Sequence, residues 1–244
     1  MIHLKSFSAL SKVIVLPIIM SCFFTRADVQ SAQKKDSLSN KLESEEKINP
    51  TTIQLIFTDN HRLTIDFYGE NIFRVFEDTS GGMIRKPEAM PPANILVENP
   101  RRLVGSLRVI DDANKITIAS SKISIKIDKN TSLLKVVNNA TQKVALETLK
   151  PVEFGEGKVT LVLKENPQEY FYGGGVQNGR FSHRGKSIAI VNENSWTDGG
   201  VASPAPFYWS TNGYGVMWYT FKPGKYDFGA KQNGEVILKH NTES

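Results

Sequence analysis

The sequence predicts an all-β fold, an antiparallel β-sandwich, and three observations predict it. Beyond residue 50, apolar residues recur at every second position. Turn-forming residues interrupt these runs about every 8–12 residues. No stretch of helix length beyond residue 50 keeps a period near 3.6.

The elements follow in order. Ile53, Leu55 and Phe57 alternate with Gln54 and Ile56, and Asp59-Asn60 supplies a turn. Leu63, Ile65 and Phe67 alternate with Thr64 and Asp66, and Ile72 to Phe76 follows Gly69-Glu70-Asn71. The segment from Gly81 to Pro92 holds three prolines and two glycines and reads as a loop. Strands resume at Leu103 to Val109 and at Ile116 to Ala119. Ile123, Ile125 and Ile127 alternate with Ser124 and Lys126, the cleanest half-buried strand pattern in the chain. Asp128-Lys129-Asn130 turns it, Leu133 to Val137 returns, and Val159 to Leu163 is a further apolar strand. Nothing in the chain repeats.

The N-terminus reads differently. Lys5 and Lys12 precede or open a short apolar run, Val13 to Phe24, that is too short to span a bilayer and contains Pro17. Residues 1–27 therefore read as an export signal. Cys22 is the only cysteine, so no intrachain disulfide can form. Ile19-Met20-Ser21-Cys22 resembles a bacterial lipoprotein box, in which Cys22 would be lipidated and anchor the protein to a membrane. Ordinary cleavage after Ala27 or Ala32 is the other reading. Both put the mature protein outside the cytoplasm of a bacterium, in the periplasm or cell envelope. Residues 28–50 are polar and charged, lack aromatics and read as a flexible linker. The sandwich is expected over 51–244.

Charge and motifs exclude several functions. The 244 residues carry a formal charge of +5, which falls to +2 once Lys5, Lys12 and Arg26 leave with the signal. No cationic run stands beside the aromatics as in a single-strand nucleic-acid groove, so nucleic acid is not an expected partner. His3, His61, His183 and His240 are scattered without metal-ligand spacing, and no metal or other cofactor is expected. Gly173-Gly174-Gly175 precedes no helix-forming run and has no G-K-[ST] ending, so it is not a phosphate loop.

Composition shifts at Tyr170. Of the 23 aromatic residues, fourteen, including all three tryptophans, lie between Tyr170 and Phe228, with ten of the 18 glycines. Glycines permit tight turns, and aromatics offer flat apolar surfaces suited to the C–H faces of sugar rings. The burial habits of tryptophan place Trp209 and Trp218, both in alternating strands, in the core. Asn212-Gly213 reads as a hairpin turn. His183-Arg184 falls either near a pocket or in a solvated hairpin.

YFYGGGVQNGRFSHRGK (Tyr170 to Lys186) and NSWTDGGVASPAPFYWSTNGYGVMWYTFKPGKYDFG (Asn194 to Gly229) resemble the N-terminal sandwich of glycoside hydrolase family 31, which includes α-glucosidases and α-xylosidases. The glycine turn after F-Y, the P-F-Y-W-S strand, the N-G-Y-G-V turn and the closing Y-D-F-G occur in the family's order. The segment from Thr51 to Leu163 agrees only in strand pattern. The resemblance implies a galactose-mutarotase-like sandwich, whose last strand or strands are expected beyond the chain end. It also implies that a loop before the P-F-Y strand reaches over a sugar pocket. Asp198 matches the acidic position on that loop, flanked by Trp196 and Thr197; these three are the candidate substrate-binding residues. An ionised carboxylate is a strong acceptor for sugar hydroxyls, and an indole can stack on a sugar ring. A competing role for Asp198 is capping its own turn at Gly199-Gly200.

The resemblance also says what to look for and not find. Retaining glycosidases use two carboxylic acids. In this family both stand on a (β/α)₈ barrel after the sandwich, and the nucleophile is an Asp in a W-x-D-M-like motif. No such motif occurs in these 244 residues, so no catalytic residue is assigned. The expected role is the non-catalytic, carbohydrate-binding N-terminal portion of an α-glycosidase, with an oligosaccharide or α-glycoside and the barrel as partners. Two alternatives are a free-standing carbohydrate-binding envelope module and a structural lipoprotein without ligand. The chain is expected to be a portion of a longer enzyme, poorly stable alone, with an unpaired sheet edge where a strand is lacking. The purified chain is predicted to release no nitrophenol from α-glucoside or α-xyloside substrates in a colorimetric assay.

Overall fold

The computed structural model describes residues 41–77, 104–155, 157–179, 181–220 and 222–241. Residues 1–27 and Cys22 lie outside them, as does the proline-rich loop expected at Gly81 to Pro92. The described residues are all-β, every strand pair is antiparallel, and no helix occurs among them. The all-β antiparallel sandwich read from the sequence is the fold observed.

Strands β1 (Leu42–Asn49), β2 (Thr52–Phe57), β3 (Arg62–Gly69) and β4 (Ile72–Glu77) form a meander sheet in sequence order. Strands β5 (Arg108–Asp111), β6 (Lys115–Ala119), β7 (Ile123–Asp128), β8 (Leu134–Asn138) and β9 (Val144–Glu147) form a second. Alternation decides how the two pack. Ile53, Leu55, Ile65 and Phe67 from the first, and Ile116, Ile118, Ile125 and Ile127 from the second, share one buried apolar cluster. At about 25 cal/mol per Å² of apolar surface, burying such side chains contributes about 1.5–3 kcal/mol each.

Strand β1 lies inside the segment expected as linker. Its sequence, LESEEKIN, has no apolar alternation, so periodicity alone misses it. Among the described residues it is an edge strand, paired only with β2 and about half exposed, and charged edges keep other chains from adding on.

The second half is built from two more sheets. Strands β10 (Glu153–Gly155), β11 (Lys158–Lys164), β17 (Glu235–Asn241), β16 (Gly224–Phe228) and β13 (Lys186–Ile190) lie side by side in that order. Strands β12 (Phe171–Gln177), β14 (Val201–Ser210) and β15 (Tyr214–Met217) form a three-stranded sheet. Leu163, Ile188, Tyr226, Phe228, Val236 and Leu238 from the larger sheet meet Phe171 and Tyr208 from the smaller in a second buried cluster. Strand β17 is central, hydrogen-bonded to β11 and β16 over its length. Residues 235–241, near the end of the chain, thus supply the middle of a sheet, and among the described residues its edges are β10 and β13.

Contacts tie the halves together. Thr148 bridges Leu163, and the Asn212 amide Nδ2 donates to the Ala145 carbonyl at 2.6 Å. The Arg74 guanidinium lies 5.0 Å from the centre of the Tyr219 ring.

His240 on β17 is 1% exposed and packs against Trp218 and Tyr226 at ring separations of 5.6 and 6.0 Å. Burial disfavours the imidazolium and holds its pKa below the ordinary value. The unfolded chain then binds a proton below pH about 6.5 that the folded chain resists, so stability present above that pH is lost as pH falls. Thermal melts between pH 7 and pH 5 are predicted to show a falling Tm, with a smaller fall in His240→Gln.

Candidate functional site

The glycine-rich strand β12 positions the site. Gly173, Gly174 and Gly175 all have positive φ, at +110, +75 and +83°. The ladder between β12 and β14 slips between Gly173 and Gly175, which is a β-bulge opposite Pro204. A side chain at Gly175 would put its Cβ 2.0 Å from the Ser203 carbonyl oxygen, so only glycine lets the strands close.

Beyond the bulge, β12 ends at Asn178-Gly179, and the loop of residues 194–200 folds against this end. The Asn178 backbone N–H donates to the Gly200 carbonyl at 3.0 Å, and the Gly199 N–H donates to the Asn178 carbonyl at 2.9 Å. The Asn178 side-chain Nδ2 donates to the Ser195 carbonyl at 2.8 Å. Inside the loop, the Gly200 N–H donates to the Thr197 carbonyl at 2.9 Å. The Ser195 and Thr197 hydroxyls lie 3.0 Å apart. The turn is closed by backbone, not by the Asp198 side chain.

Trp196, Thr197 and Asp198 therefore stand together on one held loop, and all three are exposed, Trp196 at 74%. Among the described residues the Asp198 carboxylate has no hydrogen-bond or ion-pair partner. Its Oδ1 would lie 1.5 Å from a Cβ at Gly179, whose φ is +67°, so Gly179 is required for the carboxylate to sit there.

The small sheet turns an aromatic face to solvent. Tyr172 stacks on its cross-strand partner Trp209 at 4.5 Å between centroids, and Phe181 meets Tyr172 edge-on at 5.7 Å. Phe181 is 87% exposed and Trp209 46%, with Phe207, Met217 and Val176 also exposed. Trp209 is thus a surface residue, contrary to the core placement read from the sequence. Its neighbour Tyr208 faces inward and is fully buried, and the alternation of β14 then forces Trp209 outward. Trp218 is half-buried against the second core, as expected.

His183 does not stand in a solvated hairpin. It is 2% exposed, stacks on Phe228 at 5.8 Å, and its Nε2 lies 2.8 Å from the Gly173 carbonyl oxygen. It braces the glycine run from within.

Two buried carboxylates missed by the sequence reading hold the frame. Glu169 is 2% exposed; its Oε2 accepts from the Asn166 N–H at 2.9 Å and its Oε1 accepts from the Ser210 hydroxyl. Burial, with the nearby Glu169 charge adding to it, pushes the phenols of Tyr208 and Tyr214 upward, so both stay neutral. Asp227, in the Y-D-F-G turn, accepts from the Ala230 and Lys231 N–H groups at 3.0 and 3.1 Å and from the Ser187 hydroxyl. Among the described residues no group of three or more His, Cys, Asp or Glu side chains converges as a metal site would require.

A family model, the glycosyl hydrolase 31 N-terminal galactose mutarotase-like domain, matches residues 62–227. The chain belongs to that domain family. No curated protein sequence matches it. Among solved structures it is similar to a Flavobacterium johnsoniae family 31 dextranase complexed with isomaltotriose, at 14% identity and a TM-score of 0.72 over 85% of this chain. It is similar also to a Listeria monocytogenes cycloalternan-forming enzyme in complex with a pentasaccharide substrate, at 17% identity, a TM-score of 0.67 and 83% of this chain. A third is a family 31 α-xylosidase from a soil metagenome complexed with xylose, at 17% identity, a TM-score of 0.59 and 83% of this chain. At these identities the likeness is one of fold. The chain spans 26%, 19% and 33% of those three proteins respectively.

Substituting Gly179→Ala is predicted to turn the Asp198 carboxylate aside, because the new Cβ overlaps it, and to loosen the loop's junction with β12, because positive φ costs an L-residue about 1–3 kcal/mol. Hydrogen exchange at residues 195–200 should quicken markedly, while exchange in β16 and β17 stays slow.

Proposed function

We propose that this chain is the non-catalytic, sugar-contacting N-terminal portion of an α-glycosidase. The observation that carries the reading is the loop of residues 194–200. It presents an unpartnered carboxylate, Asp198, and a bare indole, Trp196, on a frame fixed by Asn178. A carboxylate accepts from sugar hydroxyls and an indole covers an apolar sugar face, the two needs of carbohydrate recognition. Membership of the family 31 N-terminal domain and the saccharide-bound state of the dextranase and the cycloalternan-forming enzyme support it.

The reading includes a second domain. Tyr172, Phe181, Phe207, Trp209 and Met217 make a contiguous exposed apolar face, unusual for a surface meant to meet only water. In this proposal a catalytic (β/α)₈ barrel covers that face and supplies both reacting carboxylates. The loop then forms one wall of the sugar pocket, and hydrolysis of α-glycosidic bonds belongs to the barrel. Export follows from the cationic and apolar N-terminus, with Cys22 as the lipid attachment point at the cell envelope.

Isothermal titration of the full chain with isomaltotriose and with xylogluco-oligosaccharides tests the sugar contact. Weak binding is expected; Asp198→Ala should weaken it at least tenfold, since a hydrogen bond to a charged group is worth about 1.5–3 kcal/mol, and Trp196→Ala should weaken it through the lost ring contact. Affinity unchanged in both variants would remove the loop from the site.

A further inference from the structure

The outer face of the sheet β5–β9 bears a hollow lined by residues not used so far. Its inner face is core, with Ile116, Ile118, Ile123, Ile125 and Ile127 all buried. Its outer face carries a half-open hollow of about 450 Å³ lined in part by Arg108, Lys115, Lys126 and Gln142. Small-molecule sites run from about 300 to 1,000 Å³. Thr117, Ser124 and Val137 form the floor and are at most 9% exposed although they point away from the core. Long side chains thus stand around polar groups at the floor.

Its charge is one-sided. Three cations, Arg108, Lys115 and Lys126, line it against one carboxylate, Asp112. Two other cations of the same sheet and its turns are paired. Lys135 holds Glu147 at 2.8 Å, and Lys129 is joined to Asp111. Inside the hollow, Lys115 reaches Asp112 only at 3.8 Å, and both side chains are about half exposed. Among the described residues, Arg108 and Lys126 have no ion-pair or hydrogen-bond partner. Two unpaired cations over one polar floor leave a positive field that an anion would complete.

The rest of the lining narrows the anion's class. Ser124 donates to Asn139 Oδ1 at 2.7 Å, and Asn139 donates on to the Ser120 carbonyl at 3.0 Å, so this amide is fixed. Gln142 donates to the Asn139 carbonyl at 2.7 Å, which turns its own side-chain oxygen free as an acceptor. Thr117, Ser124 and Gln142 offer hydroxyls and an acceptor suited to a ligand rich in hydroxyl groups. No aromatic side chain lines the hollow, so a nucleobase has nothing to stack on.

We infer that this hollow binds an acidic oligosaccharide, with Arg108 and Lys126 holding a uronate carboxylate or a sulfate ester and Thr117, Ser124 and Gln142 meeting sugar hydroxyls. The site stands on a different sheet from the Asp198 loop and does not depend on it.

The test titrates the full chain separately with oligogalacturonate, sulfated dextran oligosaccharide and neutral isomaltotriose, at low and at physiological salt. Binding of at least one acidic oligosaccharide is expected, weakening as salt rises. The arm that binds identifies carboxylate or sulfate as the anion. Lys126→Gln and the double variant Arg108→Gln/Lys126→Gln should lose at least tenfold in that affinity, with Tm and isomaltotriose binding unchanged. Three results would overturn the inference: no acidic oligosaccharide binding by the wild type, equal binding by both variants, or a DNA oligomer bound as tightly through the same residues. Loss of isomaltotriose binding alone bears on the Asp198 loop and leaves this site standing.

Discussion

Tyr208 is the residue around which the second half of this domain is arranged. Its ring lies between 5.1 and 6.2 Å from those of Phe171, Tyr214, Tyr226 and Phe228, contacts drawn from both sheets of that half. Aromatic pairs prefer such tilted and edge-on arrangements, each worth about 0.5–1.5 kcal/mol beyond simple burial. Once Tyr208 points inward, strand alternation leaves no freedom. Phe207 and Trp209 must point outward, and Tyr172, opposite Trp209, goes with them. The hydrophobic centre and the solvent-facing aromatic row are thus two sides of one constraint.

The same strand pair carries the constraint to the loop. Phe171 anchors the start of β12 in the core, and three consecutive glycines let the strand slip past Pro204 before it ends at Asn178. Asn178 then fixes the loop through its backbone and its amide. A carboxylate that must meet a ligand works best when its support is rigid and its own hydrogen-bonding capacity is left open. Here the backbone of Thr197 closes the turn, and Asp198 is spared that work.

The legible part of the fold was the part with clean alternation. Ile123 to Ile127 announces a half-buried strand because its isoleucines bury on one side while Ser124 and Lys126 face out. Strand β1 was illegible because a charged edge strand takes its order from the partner's backbone and not from its own apolar residues. Trp209 was misplaced for a different reason. Tyr208 and Trp209 are both large and amphipathic, so residue type does not say which of two adjacent positions turns inward. The loop was found by resemblance, since nothing in its periodicity marks it. The clasp by Asn178 was missed because an amide sixteen residues before the loop's start gives no local signal. Glu169 and Asp227 were missed likewise: a sequence shows a carboxylate, but not that it lies buried under a hydroxyl and backbone N–H groups.

The most direct test of the account is a map of where neutral sugar touches the molecule. Isomaltotriose added to the ¹⁵N-labelled full chain should move the Trp196 indole N–H and the backbone signals of residues 195–200, with smaller shifts at Asn178. Signals of β16, β17 and the β5–β8 strands should stay in place. Shifts that leave residues 195–200 untouched and gather on another surface would contradict the proposal that this loop meets sugar.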